Sequence, residues 1–294
     1  MLLQSLLRPV LTPLMRGMFD APIFSSSAWS PLALWPDGID SPGMWISPRD
    51  LTSQWAEYTG TTPVATPGTV ADSSNPVGLA LDIRAGATVL TDPGNHMLQS
   101  TSVDRPLLSA YDGQTLGPGN TYDSAGYPVF QKYDGVDDSM ATAAFSAGTL
   151  TSSMDCLIAV RRDSATNCVA GLYNAVADAT RFFGVCIPAS SGAAVGAGSG
   201  TPTVWVDGVQ LSGGTAVTAG TLDAALTTGA FHILEFRGLN MATWTAAMFG
   251  SYGVGSWQVN GALGDIMLYP STTPTEDKDA ARQWLADYYG VTLP

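Results

Sequence analysis

Thr203-Val204-Trp205-Val206-Asp207-Gly208-Val209-Gln210-Leu211 reads as a β-hairpin. Two runs of β-branched and aromatic residues flank Asp-Gly, the pair that suits a type I′ turn because both central residues need positive φ. Outward from it, Met154 to Val160, Arg181 to Ile187, Phe231 to Phe236 and Ile266 to Tyr269 are apolar runs of strand length. After the last of them comes a helix pattern. Thr273 as N-cap, Pro274 at N1 and Glu276 at N3 form a capping box, Ala281, Trp284, Leu285 and Tyr288 line one face, and Gly290 stands where a helix-ending glycine belongs. The expected fold is all-β, a two-sheet antiparallel sandwich with one C-terminal helix.

Composition agrees. The 294 residues are 45% apolar and 13% charged, enough to bury a large core, and 32 Gly with 19 Pro suit many short strands joined by tight turns. The net charge of -13 repels a phosphate backbone, and the densest basic pair is Arg161-Arg162, so nucleic-acid binding is not expected. Cys156, Cys168 and Cys186 are odd in number and lack a C-x-x-C spacing; they read as three buried thiols of a chain folded in a reducing cytosol.

Three zones are expected: an arm over residues 1–24, an irregular Trp/Pro/Gly-rich extension over 25–128 packed on the sandwich, and the sandwich itself over 129–294. In the arm, Leu2, Leu3, Leu6, Leu7, Val10, Leu11 and Leu14 keep a helical i, i+3, i+4 rhythm despite Pro9 and Pro13. Arg8 and the prolines interrupt the run, and no small-residue cleavage site follows, so it does not read as a signal peptide. It is also too short to span a membrane, for which about 20 apolar residues are needed. An apolar stripe of this kind needs a cover: the arm either folds back on its own domain or packs against sister subunits or a larger assembly.

A succession of short motifs carries a family resemblance: Trp45-Ile46-Ser47-Pro48-Arg49-Asp50-Leu51, Gly60-Thr61-Thr62-Pro63-Val64, Asn75-Pro76-Val77-Gly78-Leu79-Ala80-Leu81-Asp82, Gly94-Asn95-His96-Met97 with Gln99, Arg105-Pro106, Tyr133-Asp134-Gly135-Val136-Asp137-Asp138, and Gly264-Asp265-Ile266-Met267-Leu268-Tyr269. In that order they resemble the concanavalin A-like, laminin-G-like jelly-roll domains of tailed-phage and prophage virion proteins. The 112–127 loop, rich in Gly and Asp, departs from the pattern. The resemblance implies a jelly roll and a non-enzymatic structural or accessory virion protein, either capsid decoration or tail-associated. It would fold in the bacterial host cytoplasm and assemble as a homo-oligomer, a trimer by family habit, with other virion proteins as partners. The alternative is a lectin-like receptor-binding head of a tail fibre that binds host surface glycan.

Asp134, Asp137 and Asp138 are a conceivable calcium cluster, but the spacing is not an EF-hand and Asp-Gly followed by Asp-Asp is a natural turn, so no metal or cofactor is assigned. Glycosidases on concanavalin A-like sandwiches use Glu-x-Asp-x-x-Glu on one strand. That motif is absent, Glu235 stands alone in its strand, and His232 reads as a half-buried strand residue. There is no Gly-x-Ser-x-Gly elbow, and His96 and His232 are the two histidines, so no enzyme is expected. For the lectin reading, Trp205, Asp207, Trp244, Tyr252 and Trp257 are the glycan-platform candidates, with Tyr173 beside them, because aromatic rings stack on pyranose faces while carboxylates take hydroxyls.

Overall fold

A computed structural model describes residues 29–64, 75–110, 128–145, 150–165, 168–174, 178–211, 216–250 and 258–294. The arm therefore lies outside the described residues, as do Tyr252, Trp257 and the 112–127 loop. The strands in chain order are β1 (Met44–Ile46), β2 (Gln54–Trp55), β3 (Leu79–Ala80), β4 (Met97–Leu98), β5 (Leu107–Ala110), β6 (Val129–Asp134), β7 (Ser139–Thr142) and β8 (Met154–Arg162). They continue as β9 (Cys168–Tyr173), β10 (Phe182–Cys186), β11 (Thr203–Val206), β12 (Val209–Gln210), β13 (Phe231–Leu239), β14 (Met248–Gly250) and β15 (Asn260–Pro270). Two α-helices are described, α1 (Ala219–Ala225) and α2 (Thr275–Tyr289).

The strands form two antiparallel sheets, as expected. One runs β12-β11-β13-β8-β15-β6-β5 with β1 on the flank of β15, and the other runs β10-β9-β14-β7-β4-β3-β2. Their facing sides make one core, in which Phe183 meets Phe236 at 4.8 Å and Tyr133 meets Phe249 at 5.1 Å between ring centroids. The central strands of the first sheet are buried on both faces. Cys156, Ile158 and Val160 of β8 point between the sheets, while Leu157 and Ala159 point outward against α2, Leu34, Trp35 and Trp45. This explains why Cys156 to Val160 of β8 read as an unbroken apolar run and not as an alternation.

The hairpin forms as read: β11 and β12 pair Val206↔Val209, and Asp207 and Gly208 have φ of 50° and 79°. Helix α2 ends at Gly290, left-handed with φ 69°. Its start differs from the expected capping box. Pro274 is the N-cap and no side chain caps it; the Thr273 hydroxyl instead donates to the Leu34 carbonyl at 3.1 Å, a tertiary contact that holds an N-terminal turn against the helix.

The described part of the 25–128 segment supplies β1 to β5, which pair within both sheets. A short helix α1, capped by the Thr218 hydroxyl, accompanies the expected C-terminal helix. The cysteines are not three thiols: Cys156 is free and buried, but Cys186 is disulfide-bonded.

Candidate functional site

The hairpin brings Trp205 and Asp207 close to His232 and Glu235. Asp207 Oδ1 accepts the Ile233 N–H at 2.8 Å, and its Oδ2 lies 2.6 Å from His232 Nδ1. His232 Nε2 accepts the Thr227 N–H at 2.8 Å, which leaves Nδ1 to donate to Asp207. An Asp–His pair of this kind resembles two thirds of a catalytic triad, but the nitrogen a base would use is occupied by backbone. The pair therefore clamps the turn before β13 to the hairpin.

Glu235, expected to stand alone, is fully buried and has two cationic partners. Arg237 Nε bonds one carboxylate oxygen and Arg282 Nε of α2 bonds the other at 2.8 Å, with Asp279 also on Arg282 at 2.7 Å. The same two guanidinium groups lie 5.2 and 5.9 Å from the Trp205 ring. Trp205 is thus engaged by cations of its own fold. Trp244 is buried and packs on Phe183 at 5.7 Å, within the core between the sheets, and Tyr173 is buried there too. Among the described candidates, Trp205 and Asp207 share the hairpin and Trp244 does not join them.

Several motif residues, Trp45, Asp82, Asn95, His96 and Asp265, are brought together in two buried knots. In the first, Asp82 accepts from the Trp45 N–H at 3.1 Å, Arg84 Nη2 at 2.8 Å and the Asn95 N–H at 2.9 Å. His96 Nδ1 accepts the Asp82 N–H at 2.9 Å, Arg84 Nη1 reaches the Ser41 carbonyl, and Asn95 Nδ2 the Gly43 carbonyl, both at 2.6 Å. Nearby, Arg105 donates to the carbonyls of Gln99, Ala56 and Ser100 at 3.0 to 3.1 Å and ties three loop segments. In the second knot, Asp265 accepts from Trp45 Nε1 at 2.9 Å and from the Tyr289 hydroxyl at 2.8 Å. Burial raises the Asp265 carboxyl above its ordinary range, against the opposing pull of Arg49 and of its hydroxyl and indole donors. Gly264 is required here, since a Cβ would lie 2.4 Å from Tyr289 Cζ. The register of β15 shifts between Leu263 and Ile266, around this Gly-Asp pair, where its outer neighbour changes from β6 to β1.

The acidic turn after β6 is the tightest carboxylate cluster among the described residues. One oxygen from each of Asp134, Asp137 and Asp138 lies within 4.8 Å of the others. Asp134 Oδ1 accepts the Val136 N–H at 2.7 Å and Asp138 Oδ2 accepts the Asp134 N–H at 2.8 Å, so the carboxylates build the turn as the sequence suggested. Burial, then the negative charges of Asp134, Asp137 and Asp104, lift Asp138 from 3.8 to about 7, although the Asp134 N–H acts against this. The folded protein therefore keeps a proton on Asp138 where the unfolded chain has released it, and this group's contribution to stability falls as pH rises from about 4 to about 7. Asp138→Asn keeps the backbone acceptor and removes the charge. Its melting temperature should match the parent near pH 4 and exceed it by a few degrees at pH 8; equal melting at both pH values would contradict the assignment.

A cleft lined by Val160, Arg162, Leu226, His232, Phe249 and Val259 has a cavity volume of about 10 Å³, room for one water molecule. No helix among the described residues is long and apolar enough to cross a membrane. No protein-family model, no curated protein and no solved structure matches the chain.

Sequence reasoning missed the cationic partners of Glu235 and the anchoring of Asp155. Buried Asp155 bonds Lys278 Nζ of α2 at 2.7 Å and accepts the Gly238 N–H at 2.8 Å. The one available signal was that a chain with two lysines and three glutamates places Lys278, Arg282 and Glu276 on the same helix.

Proposed function

We propose that this chain is a non-enzymatic structural protein of a tailed-phage particle. Its sandwich is a rigid displayed body, and its apolar arm, residues 2–14, is the attachment to sister copies and to the particle. One observation carries the reading: the side chains that chemistry would recruit, Asp82, His96, Asp155, Asp207, His232, Glu235 and Asp265, are spent on bonds that hold loops and α2 to the sheets. The motif succession supports the same reading, because Trp45, Asp82, Asn95, His96 and Asp265 fall in the two knots that such a body needs. The net charge of -13 favours solubility of a surface-displayed protein.

Removing residues 1–20 tests the attachment. The full chain should co-sediment with particles and form a homo-oligomer, a trimer by sedimentation equilibrium, and the truncated chain should do neither. A monodisperse monomer with the arm intact would overturn the assembly role. Glycan binding retained by the truncated chain would favour a receptor-binding head instead.

A further inference from the structure

The turn from Leu226 to Ala230, which joins α1 to β13, is tied to the first sheet through Arg162 and His232. The Leu226 carbonyl accepts from Arg162 Nη2, and the Gly229 N–H donates to the Arg162 carbonyl at 2.7 Å. Between them, the Thr227 N–H donates to His232 Nε2 at 2.8 Å. A guanidinium keeps its charge and a backbone carbonyl has none, so the first two ties do not respond to pH. The third depends on a ring that gains a proton in mild acid. Thr227, Thr228 and Gly229 are exposed, while Leu226 beside them is buried in the core between the sheets.

His232 is bonded on both sides. A backbone N–H can only donate, so Nε2 is the acceptor of the Thr227 bond and the ring proton sits on Nδ1, 2.6 Å from Asp207 Oδ2. A second proton must go to Nε2, where the Thr227 N–H already points, and two donors cannot share that contact. On the opposite side the Asp207 carboxylate then faces a full positive charge, which strengthens that bond. We propose that His232 is a pH-operated latch: its neutral ring holds the Thr227 corner of the turn, and its protonated ring drops that corner while gripping the hairpin more firmly. Among the described residues, the charged groups around the ring are Asp207 of the hairpin and Arg161 and Arg162 of β8, which line the same cleft. Arg161 is paired with Asp163 and Arg162 with Asp223 of α1, so the new charge is met by Asp207.

The chain has two histidines, and in NMR spectra of the full chain His232 is the one whose ring shows Overhauser contacts to Thr227. Near pH 8, long-range proton–nitrogen correlations should place its ring proton on Nδ1. On acidification to about pH 5 the ring should take up a second proton, and the exchange protection of the Thr227 amide should fall roughly tenfold. The amides of Gly229 and Ile233, whose acceptors are the Arg162 carbonyl and Asp207, should keep their protection. A ring proton on Nε2 near pH 8, unchanged Thr227 protection once the ring is charged, or a ring that stays neutral until the protein unfolds would each overturn the latch. In His232→Gln, whose side-chain carbonyl can accept the Thr227 N–H at any pH, the fall should be absent, and a fall of the same size would contradict the role of the ring. If that variant does not fold, Gly229 in the parent chain is the control: protection lost in parallel at Gly229 would mean that acid loosens the whole turn and not its latched corner.

Discussion

Glu235→Ala is expected to lower the melting temperature by roughly 6–10 °C. The carboxylate is fully buried between Arg237 of its own strand and Arg282 of α2. Removing one partner of a buried ion pair costs about 3–5 kcal/mol, because the remaining charges lose their compensation, and each kcal/mol moves a chain of this size by about 2 °C or slightly more. Asp279 can take part of the load on both arginines, since it bonds Arg282 at 2.7 Å and Arg237 at 3.4 Å. Glu235→Gln, which keeps the shape, should fall between parent and alanine variant in differential scanning calorimetry. Were Glu235 a catalytic or ligand-binding group held in strain, its removal would raise stability, so the sign of the shift separates the two roles.

Trp45→Ala is expected to have an effect of similar size, about 3–5 kcal/mol. The Trp45 ring stacks on Trp35 at 5.9 Å, meets Trp284 of α2 edge-on at 5.9 Å, and donates its indole N–H to buried Asp265. Trp45→Phe preserves most of the packing but leaves Asp265 one donor short, a loss of about 1–3 kcal/mol. Asp265→Asn in the Trp45→Phe background should then cost less than in the parent. Additive losses in that double-mutant cycle would show that the indole and the carboxylate are not coupled.

The parts of this fold that were legible in the sequence are those set by neighbours in the chain. Asp207-Gly208 specifies its turn by backbone chemistry alone, Gly290 ends α2 for the same reason, and β8 announces itself by the five apolar residues from Cys156 to Val160. Strands β2, β3 and β4 are two residues long, and two residues have no periodicity to read; they exist through pairing with distant partners. Thr273 looked like a cap because its local pattern fits one, yet the carbonyl of Leu34, far away in sequence, competes for its hydroxyl and wins. The same limit governed the polar residues. Glu235 and Arg282 are 47 positions apart, so only the packing of α2 on the sheet brings them together. For the candidate glycan platform, the sequence marked Trp205 as an aromatic on a hairpin but could not tell that Arg237 and Arg282 already lie against it.

The most direct measurement of the central claim is antibody-gold labelling of intact phage particles with a serum raised against residues 45–294, viewed by electron microscopy. Gold in a regular pattern on the head or tail is the predicted result, and its position assigns the protein to decoration of the head or to the tail. Particles that remain unlabelled, under conditions in which the serum recognises the purified chain, would contradict the virion assignment.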